Sequence, residues 1–250
     1  MCVNNQLLKL QQLWDEQYAK TYSKEHPQSI SRPFAYGVPE EYMTADFKLM
    51  VVGQEAAGFS AYDDPTAWDL QRTQQWVVDY TRRQLWGIRA GVAEEDRRKS
   101  SPFWNFMKNL NKFGMVPSWN NVDKVYQKKT ADTGEKVIRL TDDQRREFNK
   151  AVCEGKTLLQ KEVEISKPDG IVFVTGPHYR HSMETALTLS ENSLAEKVPR
   201  EDAVLTDISH EVGLGIPCLW TYHPRRLCGL HLSLNDCAQE IAKIIKQSKV

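Results

Sequence analysis

The chain has 250 residues, 40% hydrophobic and 26% charged, which is typical of a globular protein with one substantial core. Its 33 basic residues equal its 33 acidic ones, which excludes a global positive field, so any contact with nucleic acid must be a local patch. No apolar run reaches the ~18 residues of a membrane span, and the N-terminus lacks the pattern of a signal peptide. We therefore expect a cytoplasmic protein without membrane contacts.

The cysteines and glycines exclude several common sites. The five cysteines are odd in number and never spaced as Cys-x-x-Cys, which argues against a disulfide framework, a zinc ribbon or an iron–sulfur cluster. Gly53 and Gly58 have P-loop spacing, but Phe59 stands where the phosphate-binding lysine is required. There is no Gly-x-Gly-x-x-Gly and no Gly-x-Ser-x-Gly. We expect no metal and no cofactor.

The first half of the chain predicts one buried strand among helices. Helical spacing of apolar residues indicates a helix within an N-terminal extension, 1–44, and a short apolar run predicts a strand at 47–52. Gly53 would turn the chain sharply after this strand, leaving Gln54 and Glu55 in a loop. Helices are predicted at 66–85 and from Ser101 to Gly114, followed by a loop that carries Asn120 and Asn121.

The second half repeats the alternation. A capping-box pattern at Thr141 predicts one long helix that reaches Pro168, and the apolar run 171–175 predicts a strand. A helix is expected near 183–187, a candidate edge strand at 203–208, a last buried strand at 218–222, and a terminal helix capped by Ser233. Strands that alternate with helices predict an α/β fold. We expect a single domain, 1–250, built as a three-layer sandwich around a central, mainly parallel four-stranded sheet.

Polar or turn residues follow each predicted strand, or the segment that takes its place. In a parallel sheet the carboxyl ends of the strands share one edge, so these residues would converge on one pocket. The four groups are Gly53-Gln54-Glu55, Asn120-Asn121, Gly176-Pro177-His178 and His223-Pro224-Arg225.

The order and spacing of these groups resemble the uracil-DNA glycosylase superfamily. Its members have a Gly-Gln-Asp-Pro-like loop after the first strand, an Asn-bearing loop after the second and a His-Pro-Ser-like loop after the last. The elements that look like these three are Gly53-Gln54-Glu55-Ala56-Ala57, Trp119-Asn120-Asn121-Val122-Asp123-Lys124 and Thr221-Tyr222-His223-Pro224-Arg225-Arg226-Leu227. Glu55 replaces the usual Asp or Asn, Ala56 replaces proline and Arg225 replaces serine, so the chain resembles a divergent member.

The resemblance implies a base-excision enzyme that hydrolyses the N-glycosidic bond of uracil or a related damaged base. The implied catalytic residues are Glu55, which would orient water and stabilise a cationic sugar, and His223, which would donate a hydrogen bond to the departing base. The implied base-binding residues are Gln54, Phe59 and Asn121, and the implied DNA-binding residues are Arg225, Arg226 and Leu227, the last as a wedge.

Two other functions remain open. A protein of this fold that binds nucleic acid or a nucleotide without cleaving it would fit the neutral net charge and the altered motifs. A hydrolase of free nucleosides or nucleotides would need the same pocket but no wedge. The expected partner is DNA, single- or double-stranded and contacted locally, and we expect a monomer.

Overall fold

A computed structural model describes residues 2–19, 31–55, 68–87, 101–125, 127–128, 137–138, 143, 146, 151–153 and 155–249 of the chain. For Glu55 and for residues 127–128, 137–138 and 151–153 it describes the backbone alone. Among the helices within these ranges, none has the combined length and apolar character that crossing a bilayer requires.

The described elements alternate between strands and helices along the chain. The strands are β1 (Lys48–Glu55), β2 (Val116–Asp123), β3 (Gln127–Lys128), β4 (Val137–Ile138), β5 (Ala151–Cys153), β6 (Lys156–Thr157), β7 (Gly170–Phe173), β8 (Leu205–Asp207) and β9 (Cys218–Thr221). The helices are α1 (Val3–Trp14), α2 (Glu40–Met43), α3 (Leu70–Trp86), α4 (Pro102–Lys112), α5 (Leu158–Ser166), α6 (Arg180–Ala186), α7 (Ser209–Val212), α8 (Pro224–Gly229) and α9 (Leu234–Ser248). A π-helical turn, Asp15–Ala19, continues α1.

The central sheet has the order β2-β1-β7-β9-β8. The first four strands are parallel to their neighbours, and β8 pairs with β9 in the antiparallel direction. The predicted α/β fold with a mainly parallel sheet is therefore confirmed. The described sheet has five strands rather than four, because the candidate edge strand at 203–208 forms as β8.

Alternate side chains of β1 enter two different cores. Leu49 and Val51 pack with apolar residues of α4 and α9, whereas Met50 and Val52 pack with residues of α1, α5 and α6. This two-residue period is the geometry of a strand that is buried on both faces. The sheet therefore lies between two helical layers.

The strand β1 is longer than the sequence predicted, and the strand β2 forms where the sequence predicted a loop. β1 continues through Gly53 to Glu55, and β2 includes both Asn120 and Asn121, because parallel pairing joins Gly53 to Asn121 and Glu55 to Asp123. The predicted turn at Gly53 and the predicted loop at Asn120 are thus wrong. Backbone pairing between the strands overrides the weak strand preference of glycine and asparagine.

The predicted long helix is also wrong. β5 and β6 form an antiparallel pair at 151–157, and α5 starts only at Leu158. Its start is a capping box in which Gln160 N donates to Thr157 Oγ1 at 3.3 Å and Thr157 N donates to Gln160 Oε1 at 3.0 Å. Thr141 lies outside the described residues.

Candidate functional site

The carboxyl ends of four parallel strands lie at one edge of the sheet. Asn121 is near the end of β2, Glu55 is the last residue of β1, and His223 follows β9 by two residues. Gly176, which follows β7, is held between these strands because its N–H donates to Thr221 O at 3.1 Å. The structure therefore brings Glu55, Asn121 and His223 to the same edge, where parallel α/β sheets bind ligands.

The Asn121 side chain is buried, with 2% of its surface exposed. Its Oδ1 accepts a hydrogen bond from Trp119 Nε1 at 3.3 Å. Its Nδ2 has no hydrogen-bond partner among the described residues. A buried amide that lacks a partner for its NH₂ is costly, so a ligand that accepts from Nδ2 would gain binding free energy.

Gly53 has a different role from the one its sequence context suggested. A Cβ atom added at Gly53 would lie 2.5 Å from Asn121 Oδ1, which is closer than real Cβ contacts. The absence of a side chain at Gly53 therefore makes room for the Asn121 amide on the neighbouring strand.

His223 caps the amino end of α8. Its Nδ1 accepts from Arg225 N at 3.2 Å, and a backbone N–H can only donate, so Nδ1 carries no proton. Burial of the ring, with a smaller effect from the nearby Arg225 charge, lowers the pKa of His223 below its usual value. The imidazole is therefore neutral at pH 7, with its proton on Nε2, where it can donate to a ligand.

An aromatic wall joins Asn121 to His223. The Phe103 ring lies nearly parallel to the His223 ring, with centroids 6.3 Å apart and an angle of 14°. Phe103 also contacts Trp119, the partner of Asn121, at 5.9 Å between ring centroids. Phe103 was missed as a site residue, although the Ser101 helix cap that orients its turn is visible in the sequence.

A buried ion pair supports β2 on the opposite face of the sheet. Lys124 Nζ lies 2.8 Å from Glu162 Oε2, and these side chains are only 2% and 0% exposed. Asn120 joins the pair, because its Nδ2 donates to Glu162 Oε2 at 2.9 Å and its Oδ1 accepts from Lys124. Burial lowers the pKa of Lys124, and the Glu162 carboxylate opposes this effect.

Sequence reasoning missed the Lys124–Glu162 pair. Glu162 lies on the apolar face of α5, beside Val163 and one turn after Leu159, and all three side chains are buried. A charged residue on an apolar helical face is the signal that could have found it, since such a charge needs a partner in the core.

The remaining residues after β1 have different positions. Gln54 is half-buried, and its Nε2 donates to Thr175 O at 2.7 Å, so this amide ties β1 to the chain that leaves β7. The Glu55 backbone pairs with Asp123. Phe59 lies outside the described residues.

The predicted DNA-binding residues separate into three environments. Arg225 is exposed, whereas the Arg226 guanidinium is paired with Glu201, with 3.0 Å between Nη2 and Oε1. Leu227 is fully buried, which does not suit its predicted role as a wedge. Its position in the first turns of α8 directs the side chain into the protein.

A separate concavity of about 500 Å³ lies between α1 and the start of α3. None of the predicted site residues is among its lining residues, which are Lys9, Gln12, Leu13, Asp15, Glu16, Arg32, Pro33, Trp68, Asp69, Leu70 and Thr73.

The edge that carries Asn121 and His223 thus combines a buried amide, a neutral imidazole and an aromatic wall. No protein-family model matches the chain, and no curated protein matches it either.

Proposed function

We propose that this protein is a divergent base-excision enzyme of the uracil-DNA glycosylase type, which hydrolyses the N-glycosidic bond of uracil or a related damaged base. The observation that carries the proposal is the pairing of two hydrogen-bond donors at one sheet edge. The neutral His223 can donate from Nε2, and the Asn121 amide can donate from Nδ2.

This pair of donors suits a base that leaves with a negative charge. When the bond between C1′ and the base nitrogen breaks, its electron pair moves to the base and collects on the base oxygens. A hydrogen bond from His223 to such an oxygen becomes stronger as the charge develops, which lowers the barrier. The Asn121 amide would hold the other edge of the base.

The sugar side of the reaction would depend on Glu55. Its carboxylate, at the end of β1, would stabilise the cationic sugar and orient a water molecule. The water oxygen forms the new bond to C1′ and releases a proton to solvent, while solvent protonates the base that has left. No step needs a redox partner.

A second candidate function is the hydrolysis of free nucleosides or nucleotides. Two observations favour it: Leu227 is buried, and Arg226 is paired with Glu201. Both observations reduce the number of contacts with DNA that the sequence predicted. DNA binding by phosphate contacts weakens as salt rises, whereas binding of a neutral nucleoside changes little.

The decisive experiment incubates the protein with oligonucleotides that carry uracil, hypoxanthine or xanthine and assays alkali-labile sites. The same bases are offered in parallel as free nucleosides. Glu55→Gln keeps the size of the side chain and removes its charge, and we expect it to slow cleavage at least ~100-fold while binding survives. Glu191→Gln, an exposed residue in a turn, is the matched control.

Each outcome separates the functions. Cleavage in DNA alone supports the glycosylase, and cleavage of free nucleosides alone supports the smaller substrate. If neither is cleaved while uracil still binds, a binding protein of the same fold is the better description. A Glu55→Gln variant that cleaves as fast as the parent would remove Glu55 from the mechanism.

A further inference from the structure

We propose that Trp119 is a positioning residue, which fixes the orientation of the Asn121 amide so that its NH₂ group, rather than its oxygen, is free to meet a ligand. This inference rests on the proposed function, because it assumes that Asn121 contacts the base. It adds a residue that the resemblance does not include, and it gives the site a physical reason to prefer a carbonyl oxygen over an amino group.

The orientation of the Asn121 amide follows from the chemistry of the indole ring. Trp119 Nε1 lies 3.3 Å from the nearer end of the amide, and an indole N–H can donate but never accept. If the amide turned over, its NH₂ group would face this N–H, and two donors would oppose each other. The oxygen therefore stays on the Trp119 side.

The Trp119 ring is itself held by other rings. Its centroid is 4.8 Å from that of Phe34, 5.5 Å from that of Trp104 and 5.9 Å from that of Phe103. Three ring contacts from two parts of the chain leave the indole little freedom to rotate away from Asn121.

The Asn121 residue is also fixed from its other sides. Its backbone N–H donates to Asn120 Oδ1 at 2.8 Å, and Gly53 on the neighbouring strand leaves room for its Oδ1. Rotation of the whole side chain is thus restricted. The exchange of the amide oxygen and nitrogen is the main freedom that remains, and Trp119 controls it.

The result is a site with a fixed preference. The Nδ2 atom is buried without a partner among the described residues, so its donors would be satisfied by a ligand that reaches this edge of the sheet. A keto oxygen of a base would accept from it, whereas an exocyclic amino group would place donor against donor. Sites built around such buried polar groups discriminate strongly against a ligand that leaves them unpaired.

The test compares the equilibrium binding of free uracil and free cytosine to three proteins. Trp119→Phe keeps an aromatic ring but removes the N–H, so the amide becomes free to turn over. Trp14→Phe makes the same change in another buried indole, which packs in a separate apolar cluster with Ala19, Val125 and Leu158, and controls for lost ring volume. We expect the parent and Trp14→Phe to prefer uracil, and the ratio of the two affinities to fall about tenfold or more in Trp119→Phe.

A second measurement does not depend on replacing Trp119. In Asn121→Leu, which keeps a similar volume but cannot accept, the Trp119 indole proton should lose its hydrogen bond. Its NMR resonance should shift and exchange faster with solvent than in the parent. An unchanged indole proton would overturn the proposed contact.

The outcomes distinguish this inference from the proposed function. If the parent prefers uracil and Trp119→Phe loses the preference, the positioning role is supported even when no base is cleaved. An unchanged preference in Trp119→Phe, or a parent that does not prefer uracil, overturns the positioning role and leaves an observed cleavage activity intact.

Discussion

Gly53 and Asn121 are paired across the neighbouring strands β1 and β2. The Asn121 amide leaves no room for a side chain at position 53. The amide oxygen of Asn121 occupies the space where a side chain at Gly53 would begin. The glycine serves a neighbouring side chain and not a turn in its own backbone.

We expect Gly53→Ala to destabilise the protein and to impair ligand binding together. The added methyl would meet Asn121 Oδ1, so the amide must shift, at a cost of about 1–3 kcal/mol in the free energy of unfolding. Thermal unfolding and uracil binding measure the two effects. The matched control is Gly229→Ala, because a Cβ atom at Gly229 would meet nothing within 4 Å. Equal stability of the two variants would contradict the proposed fit.

The lowered pKa of His223 predicts how stability depends on pH. Between the folded-state pKa and the ordinary value the unfolded chain binds a proton that the folded protein does not, so stability falls as pH decreases through this window. Thermal unfolding between about pH 7.5 and about pH 5.5 should show this loss. His223→Asn should reduce the slope, since an asparagine can still cap α8 but does not titrate.

The control for the pH experiment is His210→Asn, because the His210 side chain is 98% exposed. This variant should keep the slope of the parent. A pH slope that is identical in the parent and His223→Asn would show that His223 does not titrate as its burial implies.

If base excision occurs, His223→Asn should also slow the cleavage ~100-fold, because the Nε2 donor is lost.

Lys124→Met should cost about 3–5 kcal/mol of unfolding free energy, because it leaves the Glu162 carboxylate buried without its cation. Urea unfolding measures the loss. Adding Glu162→Gln should recover a large part of it, since no lone charge then remains in the core. Lys243→Met removes a lysine from an exposed pair and should change stability by less than about 0.5 kcal/mol. A double variant no more stable than Lys124→Met would argue that the charge itself is unimportant.

Leu227→Ala tests whether the residue belongs to the core or to a DNA-binding surface. Because Leu227 is fully buried, we expect a loss of about 2–5 kcal/mol in stability. The affinity of the folded variant for DNA should stay at the level of the parent. Leu13→Ala, at a site 38% exposed, is the control with little expected loss. A Leu227→Ala protein that is as stable as the parent but binds DNA more weakly would support the predicted role of Leu227 as a wedge.

The sequence was most informative where a local pattern alone decides the structure. The apolar run after Pro168 predicted β7, and the Ser101-Pro102 start predicted α4, whose cap is formed by Ser101 Oγ and Trp104 N at 3.4 Å. Such runs and caps depend on neighbouring residues in the chain, so they can be predicted without knowing the fold.

The predictions failed where distant segments decide the structure. Thr141 and Thr157 each begin a Thr-x-x-Gln pattern, and local sequence could not show that a strand pair at 151–157 interrupts the predicted helix before Thr157 starts α5. The burial of Lys124 depends on Glu162, which is distant in the sequence and comes close only when α5 packs on the sheet.

For the candidate site, the sequence predicted which residues share one edge of the sheet, but it did not predict the contacts between them. The carboxyl ends of the strands gave Asn121 and His223, because their convergence follows from the parallel topology. The roles of Trp119 and Phe103 depend on ring contacts across different elements, which periodicity does not encode.

A hydrogen bond from Gln11 connects the first helix to the end of β2 through Glu162. Gln11 Nε2, in α1, donates to Glu162 Oε1 at 2.9 Å and to Tyr36 O at 3.0 Å. Glu162 in turn holds Lys124 and Asn120 at the end of β2. Detachment of α1 would therefore loosen the strand that carries Asn121, so α1 and the carboxyl end of β2 should open and close as one cooperative unit, with matching amide exchange rates.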